Sequence, residues 1–177
     1  GLHVLALATP DAGVWHADCL RRQLRVGPLL DWSRPVKTPE CEGLARFCFF
    51  DAPWQAEDPS YICWVQHLTP ELVRSPSLLA HPNQAQALLG VTYGGPLDGL
   101  QGWGRRLQTA GATPPDDGSG LGLWQLTDAG LTLNVDADIQ IVRPMALTMS
   151  FDSLDPIVQR AQAMGLSCHA LPDMVTG

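Results

Sequence analysis

The stretch LHVLALATPD, residues 2–11, has a pattern that returns as ALLGVTYGGPLD at 87–98 and as MALTMSFDSLDP at 145–156. Each stretch is an apolar run followed by a turn that contains proline and aspartate. A short amphipathic segment comes next, with apolar residues three or four positions apart, which is helical spacing. A glycine, which readily takes left-handed backbone angles, ends each segment, at Gly27, Gly111 and Gly165. The repeat therefore predicts a strand followed by a helix, three times along the chain.

Strand-like runs separated by turn-forming residues lie between these helices. They occupy 28–36, 44–50 and 61–68 in the first unit, and 120–126, 131–135 and 138–142 in the second. The first two units each predict the order β-α-β-β-β, and the third stops after a helix and a short strand at 167–171. We predict an α+β fold with a first module and connecting loop at 1–86, a second module at 87–143, and a partial third module (strand-helix-strand) at 144–177.

One helix cannot cover both faces of four strands. The other face has to be buried by a second unit or has to enclose a cavity. Two curled mixed sheets side by side, with the helices on the outer face, would form a cup whose inner face can hold a small molecule. A two-layer sandwich without a pocket is the alternative.

The repeat and its opening LHVLALATPD resemble the vicinal oxygen chelate superfamily, which includes glyoxalase I, extradiol dioxygenases and the bleomycin and fosfomycin resistance proteins. QHLTPELV at 66–73, followed by HPNQAQALLGV at 81–91, is similar to bacterial glyoxalase-like domain proteins. The resemblance implies βαβββ modules around a divalent metal ion and a glyoxalase-like enzyme acting as a lyase, isomerase or dioxygenase. The alternatives are a non-catalytic small-molecule binding module of the resistance or sequestration type, and a remnant whose cup is filled by side chains.

The resemblance also implies that metal ligands lie on the first and last strands of a module. In this chain those strands offer His3 and His67, which would supply two of the three protein ligands of a catalytic site. Since side chains alternate along a strand, only one of Gln66 and His67 can face inward. We expect His67 on the concave face beside His3, with Gln66 directed at the helix. The alternative has His67 turned to the loop at 69–71 and His3 in solvent.

The candidates for ligand contact are His67, His81, Trp64 and Arg46. Each has a structural alternative: His81 suits a His-Pro-Asn turn, Trp64 suits the core, and Arg46 suits a surface ion pair. Arg34 and Arg46 both lie within apolar strands, where a lone charge needs solvent or a partner. Either arginine could hold an anionic ligand.

Composition narrows the choice of partners. The 177 residues carry 11 Lys+Arg against 18 Asp+Glu, a net charge of -7, which repels the phosphates of nucleic acids. No apolar run is long enough to cross a membrane. The five cysteines are odd in number and lack a CxxC pair, and no signal peptide precedes the first strand, so we expect a reduced cytoplasmic protein. The unfinished third unit leaves a sheet edge uncovered, which predicts a homodimer.

Overall fold

The structure, a computed structural model, describes residues 3–53, 55, 58–126 and 129–169. The strands in this part are β1 (Val4–Ala8), β2 (Leu30–Lys37), β3 (Glu42–Asp51), β4 (Tyr61–His67), β5 (Ala85–Gly95), β6 (Gly122–Gln125), β7 (Gly130–Val135) and β8 (Arg143–Phe151). The helices are α1 (Ala12–Arg21), α2 (Pro76–Leu79), α3 (Leu97–Thr109) and α4 (Asp155–Ala163), with a 3-10 turn at Pro70–Leu72. Within these residues no helix is long and apolar enough to cross a membrane.

The strands form two four-stranded mixed sheets, ordered β1-β4-β3-β2 and β6-β7-β5-β8. In the first sheet β1 is parallel to β4, and β3 runs antiparallel to both β4 and β2. In the second sheet β5 is parallel to β7 and antiparallel to β8, while β6 is antiparallel to β7. The predicted α+β fold is confirmed, and the strands expected at 44–50 and 61–68 are β3 and β4.

Helix boundaries follow the local capping chemistry. Helix α1 starts after Asp11, whose carboxylate accepts a hydrogen bond from a backbone N–H of the first turn. The left-handed residue after this helix is Gln23, with φ 59°, so the capping role predicted for Gly27 was wrong. Gly111 (φ 90°) and Gly165 (φ 71°) do follow α3 and α4 with left-handed angles, as predicted.

The strand predicted at 138–142 does not form. Asp136 Oδ1 accepts a hydrogen bond from the backbone N–H of Asp138 at 3.0 Å, and the Asp136 carbonyl accepts one from Ile139 at 3.2 Å. An aspartate that bonds its own backbone two residues on favours a turn over a strand. Ile139 and Val142 are nevertheless buried, which explains the apolar pattern. The second sheet takes its fourth strand from β8 instead, a segment that the sequence assigned almost entirely to the third module.

One hydrophobic core joins the two sheets through α1 and α3. Its largest fully buried side chains are Phe50, Ile62, Tyr93, Leu100, Leu107, Leu131 and Leu133. Burying a side chain of this size contributes about 1.5–3 kcal/mol. A buried hydrogen bond of 3.0 Å between the hydroxyls of Ser60 and Tyr93 also crosses from one half to the other.

The last part of the described chain packs less tightly than the rest. No residue of α4 is buried, and none of β8 is buried either. Of the short strand predicted at 167–171, residues 167–169 are not in a strand, and 170–171 lie outside the described residues.

Candidate functional site

Strand β4 directs neighbouring side chains to opposite faces of the first sheet. Gln66 Oε1 accepts a hydrogen bond of 3.0 Å from the backbone N–H of Ala12, the first residue of α1. His67, the next residue, therefore faces the side away from the helix. The predicted orientation of Gln66 toward the helix is confirmed.

The side of the first sheet away from α1 carries a cleft of about 470 Å³, which we call the face cleft. It is lined by Ala6, Leu7, Ala8, Trp32, Arg34, Phe47, Phe49, Val65 and His67. Its floor is apolar, and the alanines of β1 leave space above the sheet. A cleft of this size is typical of small-molecule sites.

Three rings form a row across the face cleft. Trp32 pairs with Phe47 across β2 and β3, and Phe47 pairs with His67 across β3 and β4. The ring centroids of Trp32 and Phe47 are 5.8 Å apart, and those of Phe47 and His67 are 5.1 Å apart in an edge-to-face arrangement. Trp32 is 57% exposed and Phe47 is buried, so the part of the row that a planar ligand can pack against is mainly the indole of Trp32.

The surroundings of His67 favour the neutral form of its imidazole. Burial lowers the pKa of His67 below its usual 6.5, and the positive charge of Arg74 lowers it further. Nδ1 is enclosed and has no hydrogen-bond partner among the described residues. Nε2 is not enclosed in this way, so it is the nitrogen that can exchange a hydrogen bond with a molecule in the cleft.

Arg34 is the positively charged side chain at the face cleft. It lies on β2 two residues after Trp32, so both side chains are on the same face of the strand. Within the described part of the chain, neither Arg34 nor Arg74 has an acidic partner within 4.0 Å. The wall of the cleft therefore carries one cation that has no ion pair within the described residues, although the whole chain has a net charge of -7.

The structure separates the two histidines predicted to share a metal ion. The His3 carbonyl accepts a hydrogen bond from the backbone of Tyr61, at the start of β4, whereas His67 ends that strand. The two residues are roughly 20 Å apart along the sheet, given about 3.3 Å per residue. His3 lines a different cavity, beside Tyr61. The joint metal site of His3 and His67 was therefore wrong.

The other predicted contact residues lie away from the face cleft. Arg46 has the strand parity of Phe50, a core residue, and so faces the opposite side of the sheet. His81 is exposed in a turn that its carbonyl closes by accepting a hydrogen bond from Gln84 at 2.8 Å. Trp64 is buried and stacks on Phe50 with ring centroids 4.8 Å apart. The sequence left either arginine able to hold an anion and Arg46 was the one predicted, whereas the structure puts Arg34 at the cleft. Trp32 was missed, although its spacing of two residues from Arg34 could have indicated it.

Trp64 instead lines a second cleft, of about 580 Å³, between the two halves of the molecule. Arg106 lies there, 5.7 Å from the ring centroid of Trp103, and donates a hydrogen bond to the carbonyl of Pro53 at 3.1 Å. It also forms an ion pair with Asp58. Arg106 thus joins helix α3 to the segment before β4 through Asp58 and Pro53. Because its guanidinium already has these partners, it does not offer a free positive charge to a ligand.

The described residues do not by themselves suit the divalent metal ion that the resemblance implies. No group of three or more His, Cys, Asp or Glu side chains is placed among them to hold a metal. Of these residue types, the face cleft has only His67 within the described part of the chain. A catalytic zinc ion normally has three protein ligands.

Comparison with known proteins gives information about the fold alone. The sequence matches no protein-family model and no curated protein. The structure is similar to a crystal structure of a hypothetical protein from Staphylococcus aureus, with a TM-score of 0.60 and 10% sequence identity. The match covers 82% of this chain and 56% of that one, so this chain spans a little over half of its neighbour's length.

Proposed function

We propose that this chain binds a small aromatic anion in the face cleft. The observation that carries the proposal is the composition of the cleft wall. The exposed ring of Trp32 and the buried ring of Phe47 lie beside an apolar floor, and the cleft's two ionisable side chains are His67 and Arg34 among the described residues. Rings pack against a planar apolar body, while a guanidinium binds a carboxylate through two parallel hydrogen bonds.

The order of elements supports placing the chain in the vicinal oxygen chelate type. From β1 to β4 the chain runs strand, helix and three strands, and the sheet order is β1-β4-β3-β2. A helix covers one side, as a βαβββ module requires, and the face cleft lies on the other. On this proposal the sheet is curled, with α1 on its outer face and the ligand on its inner face, and the protein is a small-molecule binding module.

A second candidate is glyoxalase-like catalysis in the same cleft, of the lyase, isomerase or dioxygenase class. The observation that favours it is His67, whose lowered pKa favours a neutral imidazole that could accept a proton from a bound molecule. Binding needs only the rings and Arg34, whereas catalysis also needs His67 to titrate. The wall composition therefore supports binding more directly.

The proposal can be tested by isothermal titration calorimetry with three aromatic anions: benzoate, 2-naphthoate and indole-3-acetate. We expect at least one of them to bind, and the corresponding uncharged amide to bind at least about tenfold more weakly, because hydrogen bonds to charged groups contribute about 1.5–3 kcal/mol. If none binds at millimolar concentration, or if acid and amide bind equally well, the proposal is wrong.

Arg34→Gln and Arg46→Gln form a matched pair for the same titration. Both remove one guanidinium from the β2–β3 hairpin, but only Arg34 lines the face cleft. We expect R34Q to weaken binding of the acid about tenfold, and R46Q to leave it within about twofold. Equal losses in both variants would mean that general charge attraction, rather than the cleft, holds the anion.

The catalytic candidate is tested with a 2-oxoaldehyde hemithioacetal as substrate. Turnover of this compound by the wild-type chain, lost in His67→Gln, would be the supporting result.

A further inference from the structure

Within the described residues, strand β8 is a long edge strand of the second sheet. It has nine residues and pairs with β5 on one side, and no described strand lies on its other side. The unpaired N–H and C=O groups of such an edge can bond another strand. Proteins usually protect an edge with charges or proline, but from Met145 to Phe151 the strand has neither.

Both faces of β8 are accessible as well as its edge. Met145, Leu147 and Met149 are 49%, 45% and 38% exposed. Ala146 and Thr148, which alternate with them, are also exposed. Helix α4 follows in the chain but does not cover the strand closely, because none of its residues is buried.

The charges at the two ends of β8 are complementary to each other. Arg143 begins the strand, Asp152 follows its last residue, and no charged residue lies between them. Arg143 has no ion pair within the described residues, and Asp152 accepts a hydrogen bond only from the amide of Gln86 at 2.7 Å. When two copies of such a strand run antiparallel about a two-fold axis, the start of each meets the end of the other. Arg143 of each copy would then lie beside Asp152 of its partner.

We propose that β8 pairs antiparallel with β8 of a second copy, joining two four-stranded sheets into one continuous sheet. Two features favour a second copy over an unrelated partner. The strand is self-complementary in charge, and its uncharged centre lets two chains of net charge -7 approach without placing acidic side chains in contact. When Arg143 lies opposite Asp152 of the partner, the register shift at Met145 puts Thr148 at the two-fold axis, where its side chain meets the same residue of the partner.

The first test is the mass of the intact chain in solution, measured by light scattering and sedimentation equilibrium. We expect a dimer, and we expect Thr148→Glu to be monomeric, because it places two carboxylates together at the axis. The matched control is Leu123→Glu, on the opposite edge strand β6, where the side chain is 55% exposed. L123E should remain a dimer. A monomeric wild-type chain at 100 μM, or a T148E variant that dimerises as well as wild type, would overturn the proposal.

The second test uses charge exchange to check the orientation of the strands. R143E and D152R should each weaken dimerisation at least about tenfold, since each turns two attractive pairs into repulsive ones. Mixing the two variants should restore a heterodimer, because every pair across the axis is again of opposite charge. The double variant R143E/D152R should also dimerise. Circular dichroism establishes that each variant is folded. If neither the mixture nor the double variant recovers the dimer, the antiparallel pairing is wrong.

Discussion

Replacing Gln66 by leucine changes the side of β4 that faces helix α1 and leaves the side that lines the face cleft unchanged. Ala12 is 0% exposed, and its N–H donates to Gln66 Oε1 at 3.0 Å. The first N–H groups of a helix have no partner within the helix, so this side chain satisfies a donor that water cannot reach. Leucine has nearly the same size as glutamine but no acceptor. The substitution therefore leaves a buried N–H unpaired without opening a large cavity.

The expected cost follows from that one orphaned donor. Leaving a buried polar group unsatisfied costs about 1–3 kcal/mol of the free energy of unfolding. For a chain of 150–250 residues, each kcal/mol lowers the melting temperature by about 2–4 °C. We expect Gln66→Leu to melt roughly 3–10 °C below the wild-type protein. Gln66→Glu keeps an acceptor at the helix N-terminus, where negative charge is favourable, and should stay close to wild type.

His67→Leu is the matched change on the other face of the same strand. It removes an enclosed nitrogen that has no partner, so it should not lower the melting temperature. It should weaken 2-naphthoate binding, whereas Gln66→Leu should leave the affinity unchanged in protein that is still folded. Melting followed by circular dichroism and calorimetric titration of the three variants check both results. A loss of naphthoate affinity in Gln66→Leu, with an unchanged melting temperature, would refute the assignment of the two faces.

Three further predictions concern packing and titration. Gly104→Ala places a Cβ 2.8 Å from Cζ2 of the Trp124 ring, so we expect urea unfolding to show a free energy of unfolding lower by about 1 kcal/mol. In Gly102→Ala the new Cβ meets only a flexible side chain, so the free energy of unfolding should instead rise by up to about 1 kcal/mol from helix propensity. Since burial lowers the pKa of His67 in the folded state, its neutral form contributes stability that is complete above pH 6.5 and is lost as the pH falls through the lowered value. The melting temperature of wild type minus that of His67→Gln should therefore shrink between pH 7.5 and pH 5, and an unchanged difference would contradict the assigned burial. Burial raises the pKa of Tyr61 to about 12 and also raises the pKa of Tyr93, the other of the two tyrosines. Absorbance at 295 nm should therefore stay flat through pH 10.5 in the folded protein, and it should rise at that pH after denaturation.

The elements of the first sheet were predictable because their signals are local. Alternation and turn residues identified β3 and β4, and the alternation in β4 alone was enough to place Gln66 and His67 on opposite faces. Alternation also predicted a strand at 138–142, and that prediction was wrong, because this apolar run forms a turn in which two side chains are buried. A side-chain hydrogen bond from Asp136 to the backbone decided that segment, and its apolar residues pack against the core without joining a sheet.

The face cleft depended on relations between strands that no single segment contains. His3 and His67 lie on neighbouring strands, but β1 and β4 are parallel, so the start of one and the end of the other are at opposite ends of the sheet. Arg34 and Arg46 both lie in apolar strands, and only the pairing of Trp32 with Phe47 put Arg34 on the cleft side. The sequence by itself determined which residues form strands and which neighbours share a face. The tertiary structure decided which faces and ends meet, because strand direction and register depend on contacts between residues far apart in the chain.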